Sequence, residues 1–524
     1  MLRHIGAAAF AALFVFGQSS AAKAQDISLE SLDGSITLEG TFLGFDGEFY
    51  RIDTQYGELT VDSSGVNCKG PACPDMTNYV ADLTISGAGA IGEVMWGALI
   101  ESFAHRAGYV PQRAPEENGD YQIILTEKTS GREVARFYVH MTSTDEGFAD
   151  LLANEADMVL ATREIRDAEA SRALEVGLGD LRARRQAQVI ALDALVPVVA
   201  PGHPVLRIGL DDLSLILQGK ITDWSELGGP EAPISVHLPD LASGLGQAVH
   251  DQLLTGKESF AAGTIYHASP RDLATAVAAD PFALGIASFS DLGNAEPMAL
   301  QGECGFVLRA SRKAIKAEDY PLVAPMFLYR PARRLPKVGR AFVAYLASPA
   351  AQQVVRRSGY VDQAPEQIGL EGQGDRLVNA ITNAGEEIDL AALKEMIEVL
   401  GPRRRLTTSF RFQAGSTTLD PQSLSNLDLL AQAIGTGLYD AQDILITGFS
   451  DGMGDAPTNR RLSAERANVV LEAIREAAAE ESSDLSQVSL GAIGFGEAMP
   501  MACDDAEWGR DVNRRVEVWL QVAD

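Results

Sequence analysis

Hydrophobic and polar positions alternate along several short stretches near the start of the chain. Ser35-Ile-Thr-Leu-Glu-Gly-Thr41 alternates, Asp46-Gly47 marks a tight turn, and Glu48-Phe-Tyr-Arg-Ile-Asp-Thr54 alternates again. Tyr56-Gly57 forms a second turn before Glu58-Leu-Thr-Val-Asp62. Period-2 patterning broken by such turns predicts three short strands in a small SH3-like or Sm-like β unit. A unit this small buries little and is expected to pack on a neighbour. From about residue 80 to 362 the pattern changes. Leu83-Thr-Ile-Ser86 predicts a strand, and Glu93 to Arg106 a helix with an apolar stripe at Val94, Trp96, Ile100 and Phe103. Phe148 to Asn154 predicts a helix, Met158-Val-Leu-Ala161 a buried strand, and Ile190 to Ala200 a further strand. Such alternation predicts α/β architecture with mainly parallel sheets. Glycines 369, 372 and 374 precede a helix over Leu390 to Leu400, closed by Gly401-Pro402. The last stretch predicts strands at Leu406 to Phe412, Ile444 to Gly448, Val488 to Gly494 and Arg514 to Val522, with helices at Ser423 to Ile434 and Ser463 to Ala478. That order fits a small α+β sandwich.

The expected fold class is therefore α/β and α+β multidomain. Its divisions are 1–24, 25–78 (small β), 79–364 (α/β), 365–402 (linker with helix) and 403–524 (α+β). A length of 524 residues suits about three domains. Residues 1–24 read as a signal peptide: Arg3 and His4, an apolar run over Ile5 to Gly17, and Ala22-Lys23-Ala24 before a mature start at Gln25. The next apolar run, Val189 to Ala200, is broken by Asp193 and is too short to span a bilayer. An exported protein of a Gram-negative periplasm is the expectation. The 43 basic against 72 acidic residues give a net charge of −29, which excludes nucleic acid as a natural partner.

Four cysteines in an oxidising compartment allow three disulfide pairings. The short Cys68-x4-Cys73 loop suggests a local clasp, which would leave Cys304 and Cys503, either bonded across domains or as separate buried thiols. No second pair gives Cys68 and Cys73 a zinc-like spacing, so no metal is expected. The six histidines after His4 are isolated in sequence, and no nucleophile set or cofactor signature accompanies them; no enzyme is expected. Gly87, Gly89 and Gly92 have dinucleotide-loop spacing, yet no acid closes the next strand at the required distance. Arg182, Arg184 and Arg185 read as a solvated helix face.

The most specific motifs lie near the end of the chain: Gly448-Phe-Ser-Asp451, then Asn459-Arg-Arg-Leu-Ser463-Ala-Glu-Arg466-Ala, then Gly494-Phe-Gly-Glu497, then Asn513-Arg514-Arg515-Val-Glu517. Their order and spacing resemble the OmpA C-terminal peptidoglycan-binding domain over about the last 120 residues. The resemblance implies that Asp451 and Arg466 grip the zwitterionic end of a diaminopimelate stem peptide. A carboxylate suits an ammonium and a guanidinium fork suits a carboxylate. Ser463, placed near a helix start, would add backbone N–H groups for an anion. Asn459 would fix the loop, while Asn513 and Arg514 would line the same pocket. The family's His is Phe449 here.

A second resemblance covers about 280 residues of the middle. Val198-Val-Ala-Pro-Gly-His-Pro204, Gly219-Lys-Ile-Thr-Asp-Trp224, Ser243-Gly244, Gly285-Ile-Ala287 and Ser348-Pro-Ala-Ala-Gln-Gln353 are similar to the periplasmic substrate-binding protein of phosphate ABC transporters. This implies two α/β lobes closing on an oxyanion. The implied ligand groups are Ser86, Thr142, Ser143, Thr144, Arg163, Ser243 and Gly244. Both hydroxyls of the family's first glycine loop are alanine here, the hydroxyl after Ser243-Gly244 is Leu245, and an upstream Arg is absent near Leu238. Each missing charge-assisted bond costs roughly 1.5–3 kcal/mol. The combined expectation is a solute-binding protein for a phosphate-like oxyanion. It would be tethered to peptidoglycan and associated with the cell wall or outer membrane. The alternative is an envelope scaffold whose lobes dock a protein partner.

Overall fold

The computed structural model describes residues 26–521 except 77, 255–257, 385–386, 414–415 and 481–482. The expected leader and its cleavage site lie outside the described residues. The chain divides between Tyr79 and Val80 into two compact units.

In the first unit five antiparallel strands form one sheet in the order Gly57–Asp62, Phe49–Thr54, Thr37–Phe45, Ile27–Ser31, Val66–Lys69. The three expected strands are present, and two more, Ile27–Ser31 and Val66–Lys69, extend the sheet beyond Thr37–Phe45. The carboxylate of Asp46 accepts the N–H groups of Glu48 and Phe49 at 2.8 and 2.6 Å, which shapes the first turn. Ile27, Leu29, Tyr50 and Ile52 make the core. A Cys68–Cys73 disulfide clasps the last strand.

The second unit begins with a mixed sheet of eleven strands. Its first half is built on Ala81–Ala88, which pairs in parallel with Glu133–Thr142 and Met158–Ala161. The hairpin Tyr109–Pro115 and Tyr121–Glu127 extends it. Its second half is built on Ser235–Pro239, parallel to Ile265–His267 and Ala283–Ser288. Two strands cross between the halves. Ala187–Val199 pairs antiparallel with Val323–Tyr329 and then with Ala283–Ser288, while Val323–Tyr329 also pairs with Met158–Ala161. These crossing strands run against both halves, so the sheet is mixed rather than mainly parallel. Two lobes joined by crossing strands result. Gly87, one residue before the end of the first strand, has φ +133°, with Leu160 O 2.2 Å from where a Cβ would stand, so only glycine fits. The helical chain then starts at Gly89, with no free glycine loop between strand and helix.

A five-stranded sheet follows, in the order Gln367–Ile368, Arg403–Phe410, Arg515–Gln521, Asp443–Phe449, Ser489–Gly494. The helices Pro421–Gly435 and Ala456–Glu480 cover one face through Leu430, Ile434, Val470 and Ile474. The connector covers the other face. It holds two helices, Gly374–Asn383 and Leu390–Leu400, and their Ala380, Met396 and Leu400 pack with Phe449, Phe495 and Trp519. A further short helix, Glu507–Asn513, precedes the last strand and was absent from the expected order.

This last domain is fixed to the lobes. A Cys304–Cys503 disulfide bridges 199 positions. Arg405 donates to both oxygens of Asp319 at 2.6 and 2.8 Å. Glu517, fully buried, accepts from Arg515 Nε at 2.6 Å and Trp519 Nε1 at 3.0 Å, and pairs with Arg376 and Arg405. Arg184 pairs with Asp428 at 3.3 Å and with Glu480, and Arg185 joins Glu480 at 3.1 Å. Arg184 thus holds the domain contact, and Arg185 reaches it from solvent; neither lies on a helix face, because the segment around them is irregular chain. No described helix is long and apolar enough to cross a membrane.

Candidate functional site

Two sets of residues carry the expected chemistry. In the C-terminal domain, Asp451 follows the end of the Asp443–Phe449 strand and is nearly buried. Its Oδ1 accepts Met453 N at 3.1 Å and its Oδ2 accepts Arg514 Nη1 at 2.8 Å. Arg514 also donates to Glu507 at 2.7 Å and to Asp511. Burial works against the Arg514 charge, but its bonds to Glu507 and Asp451 win and raise its pKa. Arg466 stands near both. Burial, then the like charge of Arg514, lowers its pKa, while Asp451 acts the other way. The Nε and Nη1 groups of Arg466 are buried with no hydrogen-bond partner. Its guanidinium carbon lies 5.6 Å from the centre of the Phe412 ring. One carboxylate with spare lone pairs thus stands near a guanidinium with two nitrogens, three N–H donors, unused.

The neighbouring motif residues build the frame. Asn459 donates to Glu497 at 2.6 Å. Ser463 donates to Arg460 O and accepts Gly496 N, both at 2.9 Å. The helix begins at Ala456, so Ser463 and Arg466 lie about two and three turns inside it. The expected help from unpaired backbone N–H groups is therefore missing there, since interior N–H groups are already paired. Asn513 is buried and holds the loop before it: it accepts Met501 N and Ala502 N at 2.6 and 3.0 Å and donates to Asp504 at 2.8 Å. Asp504, which sequence reasoning missed, accepts Gly452 N at 2.8 Å beside Asp451. Phe449 is fully buried beneath the connector helices, with the Arg515 guanidinium 4.4 Å from its ring centre. An apolar ring is the side chain that layer needs.

In the central domain, the groups expected to hold an oxyanion are engaged by other groups of the chain. Ser86 donates to Asp150 at 2.5 Å and Thr142 donates to Glu146. Ser143 caps the Thr144–Leu152 helix by accepting Glu146 N at 3.1 Å. Ser243 caps Gly244–Leu253 by accepting Gly246 N at 3.0 Å. The hydroxyls of Thr144 and Thr162 are 3.3 Å apart. Gly244 comes across from the second lobe so closely that a Cβ on it would stand 1.5 Å from Thr162 Oγ1. Arg163 makes five hydrogen bonds. Nε reaches Gln247 at 3.2 Å, Nη1 reaches Glu164 O and Glu169 at 2.8 and 2.9 Å, and Nη2 reaches Glu169 at 2.7 Å and Asp145. Burial opposes its charge, but Glu169 and Asp145 raise its pKa. Asp145, Glu169 and Gln247 were not legible as site residues, because nothing in their local sequence marks them as partners of Arg163.

Two histidines do come together: His237 Nδ1 lies 2.9 Å from His267 Nε2. Among the described residues no group of three or more His, Cys, Asp or Glu side chains is placed to hold a metal ion.

Comparison with known proteins adds the following. A family model for the PBP superfamily domain matches residues 75–350, and a model for the OmpA family matches residues 411–514. Outer membrane porin F of Pseudomonas fluorescens is 28% identical over 117 residues, covering 22% of this chain and 33% of the porin. The chain thus spans about a third of that relative's length. The phosphate-binding protein PstS of Bacillus subtilis is 25% identical over 294 residues, covering 56% of this chain and 84% of PstS. The crystal structure of an ABC-type phosphate transport receptor from Vibrio cholerae aligns with 53% of this chain and 99% of its own, at 18% identity and a TM-score of 0.42.

Proposed function

From the premise that this chain belongs to the PBP superfamily over residues 75–350 and carries an OmpA family domain over residues 411–514, we propose that it is a non-enzymatic envelope protein held non-covalently on peptidoglycan. The proposed division is a β unit over 25–78, lobes over 79–364, a connector over 365–402 and a wall-binding domain over 403–524. Its place would be the periplasm of a Gram-negative cell, after removal of the leader. The observation that carries the reading is the unpartnered Nε and Nη1 of Arg466 near the Asp451 carboxylate. Leaving buried guanidinium donors unpaired costs free energy that a bound carboxylate would offset. The ammonium of the same zwitterion would meet Asp451. Diaminopimelate in a peptide stem offers both groups, with Asn459, Ser463, Asn513 and Arg514 shaping the surround.

The test is co-sedimentation with purified sacculi. Wild-type protein should pellet, free meso-diaminopimelate should compete, and Asp451→Ala combined with Arg466→Ala should abolish pelleting. A double variant that pellets like wild type overturns the site.

For the lobes, the internal pairing of the expected oxyanion groups supports the second reading, a scaffold that docks an envelope protein, over capture of free phosphate-like solute. The lobes meet where Gly244 touches Thr162, and the Arg163 donors are engaged.

A further inference from the structure

Between the lobes a buried guanidinium is surrounded by acceptors from the chain itself. Arg163 is deeply buried, its side chain 5% exposed, and a guanidinium has five N–H donors, the number of hydrogen bonds it makes here. One of its partners differs from the rest. Asp145 stands on the second residue of the Thr144–Leu152 helix, in the first lobe, with its side chain 47% exposed. Its Oδ1 meets Arg163 Nη2 and lies 3.5 Å from Arg166 Nη1. Its Oδ2 accepts Gln247 Nε2 at 3.0 Å from the Gly244–Leu253 helix of the second lobe. Gln247 in turn accepts Arg163 Nε at 3.2 Å. One carboxylate is thus held by two guanidiniums and a carboxamide across the cleft. Beside it, Thr144, Thr162 and Gly244 close together.

We infer that Asp145 is a resident ligand: its carboxylate occupies the Arg163–Arg166–Gln247 receptor in place of a free oxyanion and latches the two lobes together. The inference rests on the reading of the lobes as a shut binding module and names the group that shuts it. Charge supports it. Arg163 and Arg166 bring two positive charges, and Glu169 and Asp145 cancel both. A tetrahedral dianion entering would meet a neutral cluster whose donors are engaged, and would have to displace a charge-assisted pair whose guanidinium is buried. Removing Asp145 leaves one unmatched positive charge, free donors on Arg163, Arg166 and Gln247, and the nearby hydroxyls of Thr144 and Thr162. That is the set an oxyanion needs.

The test is isothermal titration of the full-length protein with inorganic phosphate and, separately, sulfate. Wild type should show no binding up to millimolar anion. Asp145→Ala should bind with at least a tenfold gain, and adding Arg163→Ala should remove it. Asp145→Asn, which keeps the shape, should gain affinity by a smaller factor. Partial exposure of Asp145 makes unfolding of these variants unexpected, and circular dichroism checks it. Two results overturn the inference. If wild type binds phosphate, Asp145 does not plug the site and the scaffold reading of the lobes falls as well. If wild type and Asp145→Ala are both silent, the cluster is no receptor, while the scaffold reading stands. Sacculus pelleting of Asp145→Ala should match wild type in every case, so wall binding and the plug are tested apart.

Discussion

Glu318 lies where the lobes meet the C-terminal domain. Its carboxylate accepts Ser409 Oγ at 3.3 Å and Asn426 Nδ2 at 3.4 Å, and lies 3.4 Å from Arg411 Nε. Burial, then the nearby charge of Asp420, pushes its pKa up to about 8, against the pull of Arg411. The folded protein therefore keeps a proton that the unfolded chain releases in the ordinary carboxylate range. Stability from this group is full below that range and is lost as pH rises through about 8. Thermal unfolding followed by circular dichroism should show a melting temperature that falls between pH 6 and pH 9. Glu318→Gln should flatten that fall. A variant with the full wild-type slope would remove Glu318 from the account.

At the scale of elements, the connector is the piece whose role changes most between sequence and structure. Leu400 and Met396 are buried against Phe449 and Trp519, so the two helices serve as the second layer of the C-terminal sheet. Leu400→Ala should cost about 2–4 kcal/mol in urea unfolding and speed amide exchange in the Asp443–Phe449 strand. An effect under 0.5 kcal/mol would mean the layer is dispensable. The elements legible from sequence were those with strong apolar periodicity. Met158–Ala161 and Leu390–Leu400 match their expected bounds because every position of the first is buried and the second carries a continuous stripe. Ile27–Ser31, Val66–Lys69 and the Glu507–Asn513 helix were not legible. They are short, and neighbours rather than local propensity fix them. The same division holds for the sites. Asp451 and Arg466 sit in separated motifs and could be picked out by residue type. Asp145 and Arg163 are 18 positions apart, and Asp145 and Gln247 are 102 apart, so only the folded lobes bring them together.

At the scale of the whole molecule, the Cys304–Cys503 bond decides how the C-terminal domain is carried. Cross-links enclosing about a hundred residues or more stabilise by about 4–5 kcal/mol in the chain-entropy account. Cys503 also precedes Asp504, which holds Gly452 N beside Asp451. Replacing both Cys304 and Cys503 with serine should lower the melting temperature and weaken sacculus pelleting severalfold, with Asp451 and Arg466 intact. Unchanged pelleting would show that the loop keeps its shape without the bond.

The same bond turns residues 304–503 into a covalent ring that contains the connector. A protease cut within Leu390–Leu400 would leave the two halves as one species on a non-reducing gel and release them only with a thiol. A load applied to the C-terminal domain would reach the second lobe through sulfur before it straightened the helices between them. The connector is then a slack path in parallel with a short, stiff one.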